Sequence, residues 1–164
     1  MIEHPLRERL TGLLLQNESA VDFNLQLVDT LHVWDDLIDL DKPVSREDIH
    51  LAFRNALVLI PANAFYRQHF HQIHPLIDNL ILNWLTANEM EDTQTQLDIA
   101  WVIRSDYCNV LLKCLHIVGG FDYARKVWPS VRAFWHAEGY DSYLSSLEAE
   151  QANKIAQGGT LHVL

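Results

Sequence analysis

Residues 21–39 read VDFNLQLVDTLHVWDDLID, and the fold is decided by how this stretch is read. Ten of its residues are aliphatic or aromatic. At about 100° per residue, Phe23, Leu27, Leu31, Trp34 and Ile38 make one apolar face. The opposite arc carries Asp22, Gln26, Asp29, His32, Asp36 and Asp39. Val21, Leu25, Val28 and Val33 lie on or beside that acidic arc, where a purely solvated surface would have no use for them. The pattern predicts a largely buried helix whose carboxylates face a shared interior or cleft. Carboxylates in such a place need a cation, a metal or a proton.

Working outward, helical spacing dominates the chain. No Asn-Gly or Asp-Gly hairpin signal occurs, and no alternating run reads as a strand. A first helix is expected over about 6–16. Ser19 would cap the second, which runs to about Asp39, and residues 40–44 form a turn. Ser45 and Asp48 have the spacing of a capping box that opens a third helix, ending before Pro61. Asn63 caps a fourth helix over 64–74, and Pro75 breaks or kinks the chain before a fifth over 76–87. Residues 88–93 read as a polar loop. The sixth and longest helix is expected over about 95–118, with Gly119-Gly120 ending it. A seventh spans about 122–136 and an eighth 143–156. The sum is one all-α domain of seven or eight helices over residues 1–157, with a loose tail at 158–164.

The predicted sixth helix has fifteen apolar residues among the twenty-two from Leu97 to Val118. Asp98, Ser105, Asp106, Asn109, Lys113 and His116 fall on one narrow stripe of it, as if lining a pocket. Arg104 sits apart among apolar neighbours. It is expected to be a salt-bridge partner, with Asp29 or Asp35 opposite.

Composition narrows the function classes. The chain has 164 residues and a formal charge of −10. Residues 1–50 hold eleven acids and four bases. Such a surface supplies no cations to displace phosphate counterions, so neither nucleic acid nor an anionic membrane is an expected partner. The N-terminus shows no basic stretch followed by an apolar core, and no run is long enough for a membrane span. Cys108 and Cys114 read as reduced, buried thiols. The expected setting is the cytoplasm. The tryptophans at 34, 84, 101, 128 and 135 read as core residues. His69, His71 and His74 could ligate zinc but read as a helix surface, and His136 and Glu138 read as a helix end.

Trp34-Asp35-Asp36-Leu37-Ile38-Asp39 contains the pattern DDxxD. Asp35 and Asp39 project from the same side, one turn apart, and Asp36 stands about 100° round. Carboxylate oxygens in this arrangement suit Mg²⁺, a hard cation that keeps several waters. The motif resembles the first aspartate-rich motif of the class I isoprenoid synthases, all-α enzymes that bind an allylic diphosphate through Mg²⁺. That resemblance implies Asp35, Asp36 and Asp39 as metal ligands. It covers about five residues; no second DDxxD occurs, and Ala87 stands where the other motif of the terpene cyclases has a hydroxyl. The stretch 27–32 is also similar to the second acidic motif of all-α nucleotide pyrophosphohydrolases, with Gln26 in place of a Glu.

The resulting expectation is a small Mg²⁺-dependent protein that binds or acts on a phosphorylated or diphosphate small molecule. Asp35, Asp36 and Asp39 would hold the metal. Asp29 and His32 would serve as base or flanking catalytic groups, and Arg104, Asn109 and Lys113 would meet the phosphates. The alternative is a non-catalytic acidic interaction protein, an accessory or phage-type factor with a basic protein partner. The sequence does not decide whether the protein is an enzyme. Its apolar content is compatible with a homodimer.

Overall fold

The helix that carries the aspartates forms as expected and sits at the centre of an all-α bundle. The computed structural model describes residues 6–39 and 42–156, and no strand occurs among them. Helix α1 is Arg7–Leu13, α2 Glu18–Asp39, α3 Arg46–Arg54, and a π-helical stretch Asn55–Leu59 leads into a single turn α4, Ile60–Ala62. Then follow α5 Ala64–Gln68, α6 Phe70–Asp92, α7 Leu97–Arg104, α8 Tyr107–Trp135 and α9 Tyr140–Ala156. Six helices of eight residues or more are found among the described residues, one or two fewer than expected. None is long and apolar enough to cross a membrane.

Most of the first half of α2 is buried: Ala20, Val21, Phe23, Asn24, Leu25, Leu27 and Val28 have almost no exposure, while Asp22 keeps a partly exposed edge. Phe23 stacks on Tyr66 at 5.2 Å and meets Phe65 at 6.4 Å. Asn24, buried in this apolar shell, is bonded at both ends: its amide donates to the Ala20 carbonyl at 2.8 Å and its carbonyl accepts from the Tyr107 hydroxyl at 2.8 Å. The second bond ties α2 to α8, and the buried amide has a partner on each of its two polar atoms. The second half emerges from the core. Ile38, expected on the apolar face, is half exposed.

Local signals set several helix ends. Ser45 and Asp48 form the capping box, with bonds of 3.1 and 3.3 Å, and Asn63 caps α5 through the Tyr66 amide at 3.0 Å. The cap of α2 is Asn17, which accepts from the Ala20 amide at 3.1 Å. Ser19, expected in that role, instead bridges to the next layer, donating to Asn63 at 3.2 Å and accepting from the Phe65 amide at 3.0 Å.

Three expected boundaries move. The break before α6 falls at His69, and α6 then runs through Pro75. Pro75 lacks the N–H that would bond the carbonyl of His71, but His71 is exposed, so water can take its place. The polar residues 88–92 continue α6 rather than forming a loop. The predicted sixth helix is cut in two at Ser105-Asp106, where the Ser105 hydroxyl donates to the Val102 carbonyl at 2.9 Å and competes with the backbone ladder. The stripe from Asp98 to His116 is therefore not one continuous face. The tail at 158–164 and residues 40 and 41 of the expected turn lie outside the described residues.

Gly119 and Gly120 mark a break inside α8, as expected. Gly120 has φ 80° and ψ 175°, a conformation open only to glycine. A side chain at Gly119 would overlap the ring of Tyr123, whose hydroxyl donates to the Leu13 carbonyl at 2.7 Å and holds α1. Gly120→Ala is expected to cost about 1–3 kcal/mol in urea unfolding, the scale of such backbone strain. Tyr123→Phe should cost about 1 kcal/mol, one hydrogen bond. An unchanged midpoint for Gly120→Ala would mean the kink is not held by this backbone conformation.

Candidate functional site

Arg104 ends α7 and reaches between α2 and α6. Its Nη2 donates to Asp35 at 3.0 Å and to Asp39 at 2.5 Å. Its Nη1 donates to Asn88 at 2.8 Å and to Glu91 in a short contact. These four bonds engage both terminal nitrogens of the guanidinium. Asp35 also accepts from the Trp84 indole N–H at 2.8 Å, and the Arg104 guanidinium lies 5.5 Å over the Trp84 ring. Tyr143 of α9 donates to the other oxygen of Glu91 at 2.6 Å. Arg104 thus joins α2, α6 and α7 directly, and Glu91 extends the network to α9.

The electrostatics follow from burial. Burial opposes the Arg104 charge, but Glu91, Asp35 and Asp39 outweigh it and hold the guanidinium firmly ionised. Burial raises the Glu91 carboxyl above its ordinary range, and the attraction of Arg104 and the Tyr143 hydrogen bond only partly reverse this. Tyr143 is likewise pushed up by burial and by its carboxylate partner.

A cleft of about 300 Å³ opens beside this cluster. Its walls come from α2 (Leu31, His32, Trp34, Asp35), α6 (Leu80, Trp84), α7 (Trp101, Arg104), both ends of α8 (Tyr107, Trp135) and α9 (Tyr143). Trp34 and Trp84 lie 4.1 Å apart by ring centroid, Trp101 meets His136 edge-on at 4.9 Å, and Tyr107 meets Trp135 at 5.3 Å. The Ser105 hydroxyl and His136 Nε2 are 2.9 Å apart on the same wall. Burial, assisted by Arg132, lowers the His136 pKa below its ordinary 6.5.

The expected site residues separate. Asp35 lines the cleft, and Asp39 lies behind it on Arg104. Asp36 stands 3.7 Å from the Lys42 ammonium, away from the other two. Among the described residues, no group of three or more His, Cys, Asp or Glu side chains is arranged to hold a metal ion. His32 is exposed on the cleft wall; Asp29, half-buried, is not part of the lining. Arg104, read both as a phosphate contact and as a salt-bridge partner of Asp35, has the second arrangement. Asn109 is exposed and donates to Asp106, and Lys113 is half-buried; neither lines the cleft. His74, from the histidine triplet, bonds the Tyr66 hydroxyl at 2.8 Å and stacks on Phe70. Cys108 and Cys114 are buried free thiols, and burial pushes Cys114 up to about 12.

Sequence reasoning missed Glu91, Asn88, Tyr143 and the aromatic cleft. Trp84, Asn88 and Glu91 recur at i, i+4 and i+7, a single helix face, but reading 88–93 as a loop hid it. No protein-family model, curated protein or solved structure matches the chain.

Arg104→Met leaves the carboxylates around an apolar chain. With Arg104 and Asp39 at 20% and 12% side-chain exposure but Asp35 at 40%, the loss should be about 3 kcal/mol in urea unfolding at pH 7, the low end for a broken buried pair. The deficit should shrink at pH 4.5 as Glu91, whose carboxyl burial holds above its ordinary range, takes up a proton. A deficit that is absent at pH 7 would show the cluster to be incidental.

His136 gives a second test. Its lowered pKa means the unfolded chain takes the proton first, so this contribution is complete above pH 6.5 and is lost as pH falls below it. Wild type should lose more stability between pH 7.5 and 5.5 than His136→Gln. Equal losses would show that His136 does not sense the fold.

Proposed function

We propose that this protein is a small-molecule-binding helical domain whose ligand sits in the aromatic cleft. The observation that supports it is the cleft itself: about 300 Å³ at the junction of five helices, with tryptophan walls and a few polar groups at one side. Binding sites for small ligands take this form, mostly apolar with a small number of placed polar groups. Asp35 supplies a charged edge fixed by two donors, Trp84 and Arg104. His32, Ser105 and His136 supply hydrogen bonds along the wall. Because the polar edge is preorganised by protein partners, a ligand would pay little ordering cost there.

A second reading keeps Mg²⁺ and a diphosphate, with Asp35, Asp36 and Asp39 as ligands. It draws on Asp35 lining the cleft and on Asp36 standing 3.7 Å from an exposed ammonium, that of Lys42. It asks Asp35 and Asp39 to exchange Arg104 for a metal, which would leave the guanidinium to the diphosphate.

Protein-observed ¹H–¹⁵N NMR with a set of small aromatic and heteroaromatic fragments separates these readings. The cleft reading expects hits that shift the indole N–H signals of Trp34, Trp101 and Trp135 and weaken at least fivefold in Trp101→Ala. Hits that leave those signals unmoved would overturn it. The second reading expects Mn²⁺ with pyrophosphate to broaden the same signals in wild type but not in Asp36→Ala.

A further inference from the structure

We infer that the cleft selects an organic cation: a substituted ammonium carried on a compact apolar or aromatic body. This rests on the cleft being a ligand site, as proposed above, and names the class of ligand it takes.

The charged residues on the lining are Asp35, Glu138 and Arg104. Arg104 is already engaged, because its terminal nitrogens point at Asp35, Asp39, Glu91 and Asn88. An incoming anion would find these donors taken and carboxylates around them. Glu138 is exposed, and its one described partner is a neutral hydroxyl, that of Ser142 at 3.1 Å. The field on the open side of the cleft is therefore set by carboxylates, which favours a positive ligand and repels a negative one.

The walls point the same way. Indole and phenol faces attract cations, most strongly where water is excluded. Trp84 shows this within the protein, since its ring already carries the Arg104 guanidinium at 5.5 Å. Trp34, Trp101, Trp135 and Tyr143 are half-buried and line the remaining space. A strongly hydrated ammonium would lose too much on entering such walls. A methylated one carries its charge with little hydration and fits the combination of rings and acid.

Three probes with a shared benzyl body test the inference by tryptophan fluorescence and indole NMR shifts: benzyltrimethylammonium, N-benzylacetamide and benzylphosphonate. The cation should bind at least tenfold tighter than the neutral probe, and the anion weakest. Glu138→Gln, at an exposed position that does not bear on folding, should reduce the cation's advantage about threefold or more. Asp35→Asn, which keeps an acceptor for Trp84, should do the same. If the neutral or anionic probe binds in the cleft as well as the cation does, the inference falls while the cleft reading stands. If none of the three binds and the fragment set also fails, both fall. A cation advantage that survives both substitutions would overturn the roles given to Asp35 and Glu138.

Discussion

The bonds of Arg104 constrain the rest of this structure. An ionised guanidinium removed from water needs acceptors in its own plane. Here α2 supplies Asp35 and Asp39, and α6 supplies Asn88 and Glu91. Glu91 then carries the network to Tyr143 of α9. The register of α2 against α6 and α7 follows, because a shift of one residue would swing the aspartates about 100° off the guanidinium. The cleft beside the cluster is a consequence of the same packing. Bulky rings at Trp34, Trp84, Trp101 and Trp135 surround a space that the ion network borders but does not fill.

Much of this was legible in the sequence where the signal was local. The all-α fold follows from helical spacing and the absence of hairpin turns. Capping by Ser45 with Asp48 and by Asn63 could be read directly, since a cap needs only a side chain and the amide two or three residues on. Burial of the first half of α2 was announced by valines and leucines lying beside acids. Arg104, alone among apolar residues, already implied a salt bridge, and Asp35 is one of its partners.

What was not legible depended on contacts between helices. DDxxD states that Asp35 and Asp39 share a side, but not what they face, and a guanidinium satisfies that geometry as well as a metal does. Glu91 lay in a stretch whose polarity reads as loop, although α6 carries it to the centre of the network. The chain breaks at His69 rather than Pro75, and at Ser105 where a continuous helix was expected, because tertiary packing decides which weak point yields. The tryptophans of the cleft lie on different helices, so their convergence appears only when the helices are assembled.

The central claim is that Arg104 is held by protein carboxylates and is not an open contact for a ligand phosphate. The most direct measurement is the ¹⁵N NMR of its guanidinium at pH 7, with and without Mg²⁺ and pyrophosphate. The account predicts separate, slowly exchanging Nη1 and Nη2 signals, as hindered rotation requires, and no change on adding the anion. A single averaged signal in the free protein, or a large shift when pyrophosphate is added, would contradict it.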